Sequence, residues 1–321
     1  MPKVKNQYEL ALALGGGGAR GLAHIGVLKV LEREKIQVDL IVGTSMGAIV
    51  GAMYAQLKDA AAVEAKVLSF VDEFLRKRQW LNILSNNKSE TRQSLLVELS
   101  NYVQKRYLGF KALTRISLET KNSLYDPLRK VLIDNDIEDN AIPFAAVAID
   151  LLKGIPRVFS RGPIIDAVYA SSAIEGVFPP LERDGMLLAD GGPVNITPVQ
   201  VAKELGAQRV IAVDVHQRIR KAEKFANGLE VIMRADNIGL DRLRQIELSL
   251  ADVVISPNVR SIHWANFYKA RECIRRGQQA ARVAMPDIDA MIKRKTWLIN
   301  LKENFRNYLL ERLEPPKKLA E

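Results

Sequence analysis

The sequence predicts an α/β fold in which helices cover a mostly parallel sheet, because its first segments alternate strand, helix and strand. The apolar run Tyr8–Leu14 is typical of a buried strand and leads directly into the glycine-rich segment Gly15–Gly21. Residues Leu22–Glu34 show helical spacing, and Val38–Val42 is a second short apolar run. The predicted helix has four apolar residues on one face, namely Leu22, Ile25, Leu28 and Leu31. The chain therefore begins as a βαβ unit, which joins parallel strands.

The same patterns predict the later elements. Apolar runs indicate strands at Ile142–Ile149, Pro156–Phe159, Met186–Ala189, Arg209–Val215 and Ala251–Pro257. A turn is expected at Leu181–Gly185. Helices are predicted at Ala61–Arg78, Leu95–Tyr107, Ser123–Leu132, from Pro163 onwards, at Val199–Leu205 and at Phe267–Ala281. We expect residues 1–257 to form one domain, with residues 58–141 inserted into it as a helical, cap-like segment.

Composition and charge limit the class of protein. With 321 residues and 48% apolar content, the chain can build one large α/β domain or two smaller ones. The formal net charge of +10 suits nucleic acid, an anionic membrane or simple solubility. The sequence has neither an arginine-and-aromatic RNA signature nor a zinc-finger spacing, so we expect no nucleic-acid partner. Its single cysteine, Cys273, excludes a disulfide framework and a CxxC metal site, and we expect no metal and no cofactor.

The N-terminal residues contain no apolar signal region, and no apolar run reaches the length of a membrane span. We therefore expect a cytoplasmic protein whose contact with membranes is peripheral. Residues 258–321 form a helical, basic C-terminal extension in this interpretation. From Met291 onwards, lysines and arginines alternate with an apolar face made of Leu298, Leu301, Phe305 and Leu309. Such a helix docks on the protein body, binds an anionic membrane or mediates self-association, and oligomeric state is left open.

The segment Gly43–Gly47 reads Gly-Thr-Ser-Met-Gly and lies between an apolar strand and a helix rich in small residues. A GxSxG pattern in that setting is typical of a nucleophile elbow, in which a sharp turn presents a serine at the end of a strand. Gly43 and Gly47 are small because a Cβ at either position would collide with the neighbouring elements. The sequence therefore predicts Ser45 as a nucleophile.

The glycine-rich segment Gly15–Gly21 has three interpretations. Gly16, Gly18 and Gly21 satisfy GxGxxG, and Asp39 follows at the distance expected of a ribose-binding acid, so a dinucleotide site is one of them. Asp39 opens its strand, however, whereas a ribose-binding acid closes it. A second interpretation is an oxyanion hole, because a glycine run presents several free N–H groups to one oxyanion. The third is a flexible linker.

Asp190 is the second candidate for catalysis, because it ends a predicted strand and precedes two glycines, Gly191 and Gly192. Its alternative role is an Asx turn, in which the carboxylate bonds only its own backbone. A Ser-His-Asp triad would need a histidine base, and the chain contains His24, His216 and His263. His216 is the best placed of these, since it follows a strand. If no histidine fits, an aspartate must activate Ser45 directly.

Four separated segments, taken together, resemble the patatin-like phospholipases, the serine acyl hydrolases that also include cytosolic phospholipase A2-type domains. They are Gly15–Gly21, Gly43–Gly47, Ala170–Pro180 and Asp190–Gly192, within a match that spans roughly Tyr8 to Pro257. The resemblance implies a three-layer α/β/α fold and a Ser–Asp dyad without histidine.

The same resemblance implies a role for each matching residue. Ser45 would be the nucleophile and Asp190 the base. Gly16, Gly17 and Gly18 would provide the N–H groups of the oxyanion hole, with Arg20 holding their loop. Gly43, Gly47, Gly191 and Gly192 would support the motifs. Glu175 departs from the family pattern, which has proline there, and this difference bears on loop shape or on the path of the substrate.

The sequence thus predicts a serine lipid acyl hydrolase that cleaves fatty acyl esters of phospholipids or related lipids. Two alternatives come from other classes of protein. A nucleotide-binding α/β protein would use the glycine loop for phosphate. A non-catalytic lipid-binding regulator would keep lipid binding without hydrolysis. Head group, acyl chain and positional preference depend on the shape of the pocket.

Overall fold

A computed structural model describes residues 7–77, 115–216, 219, 221 and 224–313, and within them one mixed sheet of eight strands forms the centre of the fold. The strands are β1 Tyr8–Leu14, β2 Leu40–Thr44, β3 Phe144–Asp150, β4 Ile155–Phe159, β5 Leu181–Arg183, β6 Met186–Asp190, β7 Ala207–Val213 and β8 Val253–Ile255. Strands β3, β2, β1, β7 and β8 are parallel neighbours in that order. Strands β4, β5 and β6 pair antiparallel. The predicted α/β fold with a mostly parallel sheet is confirmed.

Helices lie on both faces of the sheet, because alternate residues of each buried strand point to opposite sides. Leu10, Leu12 and Leu14 of β1 join one apolar core, whereas Ala11 and Ala13 join the other. The helices that the structure describes are α1 Ala23–Arg33, α2 Met46–Leu57, α3 Ala60–Lys77, α4 Asn122–Val131, α5 Ile164–Ser172, α6 Gly192–Asn195, α7 Val199–Glu204, α8 Gly228–Ser249 and α9 Ala270–Leu313. Helices α1, α2, α5 and α9 pack on the first core, and α7 and α8 on the second. The result is a three-layer α/β/α arrangement.

Three elements differ from the sequence predictions. The expected turn at Leu181–Gly185 contains strand β5, which forms a hairpin with β6. Helix α8 was not predicted. The two expected C-terminal helices form one continuous helix, α9, which has Pro286 inside it. The predicted helix Leu95–Tyr107 lies outside the described residues, as do the side chains of the predicted basic amphipathic face.

Helix α9 packs against α1 through two glycines. A Cβ at Gly26 of α1 would overlap the carbonyl oxygen of Ile274, and a Cβ at Gly277 of α9 would overlap that of Ala23. Cys273 and Ile274 are buried in the same contact. The first turns of α9 therefore belong to the packed core rather than to its surface.

This contact leads to a test of stability. Replacing Gly277 by alanine should lower the free energy of unfolding by about 2–4 kcal/mol, because the added methyl group must separate two helices. Gly239 in α8 is the matched control, since no atom lies within 4 Å of its built Cβ. Gly239→Ala should raise stability by about 0.5–1 kcal/mol through helix propensity. Urea unfolding followed by circular dichroism measures both changes, and equal stability of the two variants would contradict the packing.

The strands bring the ends of β2 and β6 together. Residues 146 and 147 of β3 pair with both β2 and β4, and residues 148–150 pair with both β4 and β6. Since a strand has only two edges, β2 and β6 must lie end to end along the same edge of β3. Thr44 pairs with Val147, and Asp190 pairs with the next residue, Ala148. The carboxyl ends of these two antiparallel strands therefore meet.

Candidate active site

Ser45 lies at the sharp turn between β2 and α2. Its backbone has φ 56° and ψ −125°, a left-handed value that is uncommon for a residue with a Cβ. A Cβ at Gly43 would lie 2.5 Å from the carbonyl oxygen of Gly47, and a Cβ at Gly47 would overlap the carbonyl oxygen of Leu14. Both glycines are therefore required by the close approach of α2 to the strands. The GxSxG segment thus forms a strand–turn–helix elbow around Ser45.

Two serines at the end of α5 hold this elbow. The Ser45 N–H donates to Ser171 Oγ at 3.0 Å, and Ser172 Oγ donates to the Ser45 carbonyl oxygen at 3.2 Å. Next to them, Thr44 Oγ1 donates to the carbonyl oxygen of Asn195 at 2.7 Å. These bonds fix the backbone of the elbow from both sides. In the sequence, Ser171 and Ser172 are recognisable only as part of the segment Ala170–Pro180, because no local pattern shows that α5 reaches the elbow.

Asp190 ends β6 next to the elbow and is 5% exposed. Its Oδ1 accepts a hydrogen bond from the Gly192 N–H at 2.8 Å, which is the Asx-turn contact, and its carboxylate lies near enough to the Ser45 side chain to interact with it. A Cβ at Gly191 would overlap the carbonyl oxygen of Val147, so the turn lies directly on β3. The Asx turn therefore holds a carboxylate that lies beside Ser45.

The pKa of Asp190 is raised from 3.8 to about 7. Burial is the main cause, because it disfavours the charged carboxylate, and the negative charge of Glu175 acts in the same direction. The hydrogen bonds from Ser45 and Gly192 oppose the shift. A carboxyl group with this pKa exchanges its proton near neutral pH, which suits a general base.

The glycine loop lies beside Ser45, since a Cβ at Gly16 would be 3.3 Å from the Cβ of Ser45. The Gly16 N–H donates to the carbonyl oxygen of Ile196 at 2.7 Å. In the part of the chain that the structure describes, the N–H groups of Gly17 and Gly18 donate to no acceptor. Gly18 has φ 56°, and the buried Arg20 donates from Nε to the Gly17 carbonyl oxygen at 3.2 Å. Two backbone donors are thus available next to Ser45.

Each of the three histidines has contacts elsewhere. His24 is fully buried, and its Nε2 lies 2.7 Å from the carbonyl oxygen of Gly15, behind the loop. Burial lowers the pKa of His24 to about 4. The pKa of His216 is also lowered to about 4, mainly by burial and further by the positive charges of Arg20 and Arg244. His263 Nδ1 accepts from the Ala265 N–H. Both His24 and His216 are thus neutral at pH 7, and the titratable group that interacts with the Ser45 side chain is Asp190.

Asp39 lies at the opposite end of the strands from the glycine loop. Its Oδ2 accepts hydrogen bonds from the backbone N–H groups of Glu9 and Leu10, at the start of β1, at 3.1 and 3.0 Å. The glycine loop follows the other end of β1, beyond Leu14. One bound nucleotide cannot place its phosphate at one end of this strand and its ribose hydroxyl at the other. Asp39 therefore serves to join β1 to the start of β2.

An apolar cavity of about 40 Å³ lies beside Ser45. Its apolar lining includes Met46, Ile49, Phe70, Leu124, Phe178 and Trp264. Phe70 in α3 and Leu124 in α4 belong to the segment that was predicted to form a cap, residues 58–141. Glu175 lies on the loop that supplies Ile174 and Val177 to this lining, and its side chain is exposed. This lining is apolar, so contact with it removes a hydrocarbon group from water.

Comparison with known proteins points to one family. The sequence model described as Patatin-like phospholipase matches residues 12–203. Patatin-like phospholipase domain-containing protein 6 of Homo sapiens is 35% identical over 217 residues, which is 67% of this chain and 14% of that protein. Neuropathy target esterase sws of Drosophila melanogaster is 33% identical over 210 residues, which is 64% of this chain and 13% of that protein. The matched region is thus a small part of each relative.

Among solved structures, VipD from Legionella pneumophila aligns with a TM-score of 0.43 and 15% identity, covering 90% of this chain and 67% of that one. The type III effector protein ExoU aligns with a TM-score of 0.33 and 14% identity, covering 85% of this chain and 52% of that one. Within the described residues, no helix is both long enough and apolar enough to span a bilayer.

Proposed function

Since the chain belongs to the patatin-like phospholipase family, we propose that it is a serine lipid acyl hydrolase acting on fatty acyl esters of phospholipids or related lipids. The observation that carries this proposal is the interaction of the Asp190 carboxylate with the Ser45 side chain beside an apolar cavity. A nucleophile, a base of suitable pKa and an apolar surface are thus adjacent. The relatives' names include phospholipase and esterase, which refer to cleavage of this type of bond.

Ser45 acts as the nucleophile in the first half of the reaction. Its Oγ attacks the carbonyl carbon of the ester while its proton passes to the carboxylate of Asp190. The carbon–oxygen bond to the leaving group then breaks, and Asp190 returns the proton to the departing alcohol oxygen. The products of this step are an acyl ester on Ser45 and an alcohol, which is a lysophospholipid if the substrate is a diacyl phospholipid.

Water completes the cycle. Asp190, ionised again, accepts a proton as water attacks the acyl ester, and the bond between the acyl carbon and Ser45 Oγ breaks. The proton returns to Ser45 Oγ, and the fatty acid leaves. Asp190 can act in both steps because the Gly192 N–H holds its Oδ1. The same dyad therefore catalyses acylation and deacylation without a histidine.

The oxyanion of each tetrahedral intermediate is placed next to the glycine loop. We assign its stabilisation to the N–H groups of Gly17 and Gly18, which have no acceptor among the described residues. Gly16 was expected to contribute as well, but its N–H is bonded to Ile196 and is not available in this conformation. Arg20 bonds the Gly17 carbonyl oxygen and so fixes the peptide group whose nitrogen belongs to Gly18.

Product analysis tests the proposed function. The purified protein is incubated with a phospholipid that has a different acyl chain at each glycerol position, and the products are identified by mass spectrometry. We expect a free fatty acid and the matching lysophospholipid, and no product from Ser45→Ala. The folded wild-type protein would contradict the proposal if it released neither product and hydrolysed no soluble ester. A thermal shift with NAD or ATP in that experiment would favour the nucleotide-binding alternative.

The pKa of Asp190 predicts the pH dependence. Only the ionised carboxylate can accept the Ser45 proton, so kcat/KM should fall as the pH drops below about 7, the pKa of this group. Glu175→Gln removes a negative charge that raises this pKa, and the acid limb should therefore move to lower pH. A pH profile with a soluble ester measures both. Glu182→Gln changes an exposed side chain of β5 and is the control; the pH at which its activity falls should be that of the wild type. If the activity of Glu175→Gln falls at the same pH as that of the wild type, the charge of Glu175 does not affect the pKa of Asp190.

A further inference from the structure

Helix α8 extends beyond the edge of the sheet at which Ser45 and Asp190 lie. Val213 of β7 is level with Leu14, and Leu14 is level with Gly43, so these residues mark the carboxyl edge. Arg244 of α8 is bonded at this level, because its Nη1 donates to Asp214 Oδ2 at 2.6 Å. After Arg244 the helix continues towards the start of β8. The residues before Arg244 therefore extend away from β8, past the carboxyl edge of the sheet. Gly228 lies 16 residues before Arg244, a distance of about 24 Å along a helix.

We call residues 225–239, the first turns of α8 with the residues just before them, the α8 arm. Five large apolar side chains of the arm are about half exposed or more: Phe225 47%, Val231 50%, Ile232 60%, Met233 56% and Ile238 52%. Soluble proteins seldom expose so many neighbouring apolar side chains unless the surface binds something. The arm therefore presents an apolar surface on the same edge as the candidate active site.

A second apolar projection lies at the turn between β3 and β4. Strand β3 continues three residues past Val147, the partner of Thr44, and then turns into β4. Leu151 and Leu152 at this turn are 44% and 66% exposed, and the adjacent Lys153 is exposed. In the sheet, β3 lies beyond β2 on one side of Ser45, and β7 lies beyond β1 on the other. The turn therefore lies at the same edge of the sheet as Ser45 and Asp190.

Positive charge lies next to the arm in the sequence. Between His216 and Gly228 the chain carries four basic residues, Arg218, Arg220, Lys221 and Lys224, against one acidic residue, Glu223. Lys221 and Lys224 are exposed, and the chain as a whole has a net charge of +10. Apolar side chains beside basic ones match a bilayer with anionic head groups, because lysine binds the phosphates while the apolar groups enter the acyl boundary.

We propose that the carboxyl edge of the sheet docks on an anionic lipid bilayer through the α8 arm and the β3–β4 turn. An anionic bilayer fits these surfaces because its head groups pair with the exposed lysines while its acyl boundary takes up the apolar side chains. Docking would place the mouth of the cavity at the lipid surface, so this inference rests on the proposed function and specifies where its substrate is met. It concerns a surface distinct from the predicted basic face of α9.

Vesicle sedimentation with the inactive Ser45→Ala protein tests the docking, because bound lipid is then not consumed. The vesicles are phosphatidylcholine alone or phosphatidylcholine mixed with phosphatidylglycerol. We expect binding to the anionic vesicles, and a loss of about tenfold or more in Val231→Glu/Ile238→Glu, which places charge on the arm. Val283→Glu is the matched control, since Val283 is 75% exposed on α9, on the opposite face of the sheet, and should leave binding unchanged.

A second variant and a second readout make the outcome decisive. Lys221→Glu/Lys224→Glu should weaken anionic binding without changing the helix. Both this variant and Val231→Glu/Ile238→Glu, made with Ser45 intact, should hydrolyse a soluble ester at the wild-type rate. Unchanged vesicle binding by both variants would overturn the proposal, as would a dimer in sedimentation velocity that only these two variants dissociate. Vesicle binding that depends on the arm, in a wild-type protein that hydrolyses no ester, would support the docking and contradict the proposed function instead.

Discussion

Ser45→Ala is expected to lower kcat/KM for a soluble ester by about 10⁴-fold or more, because the acyl-enzyme pathway disappears with its nucleophile. The fold should persist, since the main contacts of the elbow involve the Ser45 backbone, bonded to Ser171 and Ser172, rather than its hydroxyl. Active-site titration and circular dichroism test the two parts. Residual activity near the wild-type level would show that another residue is the nucleophile.

Asp190→Asn should reduce kcat/KM by a similar factor, about 10⁴-fold, because asparagine keeps the shape but cannot accept the proton. It should also make the protein more stable at high pH. The folded state binds a proton to Asp190 up to about pH 7, whereas the unfolded state does so only near 3.8, so wild-type stability falls as pH rises through this window. Asparagine does not titrate and avoids this loss.

Thermal unfolding of Asp190→Asn at two pH values separates a base from a structural residue. The variant should gain melting temperature relative to wild type at pH 8 and much less at pH 4. His216→Ala is the control for activity, because the His216 backbone N–H donates to Asp214 Oδ1 and, among the described residues, its side chain has no hydrogen bond to Ser45. An active Asp190→Asn protein would contradict the dyad and return attention to a histidine base.

Gly18→Ala has the next-largest expected effect, a fall in kcat of about 10²–10³-fold. Gly18 has φ 56°, and a Cβ there would overlap the carbonyl oxygen of Trp264, which already accepts the Ala19 N–H. The loop must therefore shift, and its two free N–H groups move away from the oxyanion. Stopped-flow or steady-state hydrolysis of a soluble ester measures the loss.

Gly162→Ala is the matched control for this loop. Gly162 also has a left-handed backbone, φ 80°, but no atom lies within 4 Å of its built Cβ. The two substitutions therefore carry a similar backbone strain, and only Gly18→Ala adds a steric clash next to Ser45. Loss of activity in both variants, or in neither, would mean that the position of the glycine loop does not control the reaction.

Local sequence predicted the parts of the site that depend on local geometry. The strand β1 has the predicted bounds, and Ser45 lies at the end of its strand because glycines at both sides allow α2 to approach. The meeting of Ser45 with Asp190 could not be derived in this way. It depends on β2 and β6 lying end to end on β3, and such pairing between residues 145 positions apart leaves no periodic signal.

Helix α8 was missed because its pattern is inverted. Its buried face carries Arg244, bonded to Asp214 and Asp241, and Glu247, bonded to Asn195. Its exposed face carries Val231 and Ile238 instead. A prediction based on apolar periodicity assumes that apolar residues face the core. In α8 the residues that face the core are instead the charged ones, because they bond to one another and to neighbouring elements. The bond between Gly16 and Ile196 is likewise a tertiary contact that the glycine motif does not encode.

The most direct test of the central claim is covalent labelling with a fluorophosphonate, which reacts with serines activated as nucleophiles. The labelled protein is digested, and the modified peptide is identified by mass spectrometry, alongside Ser45→Ala and Asp190→Asn. The dyad predicts one adduct at Ser45, no adduct in Ser45→Ala and a much slower reaction in Asp190→Asn. Labelling of a different residue, or equally fast labelling of Ser45 in Asp190→Asn, would contradict it.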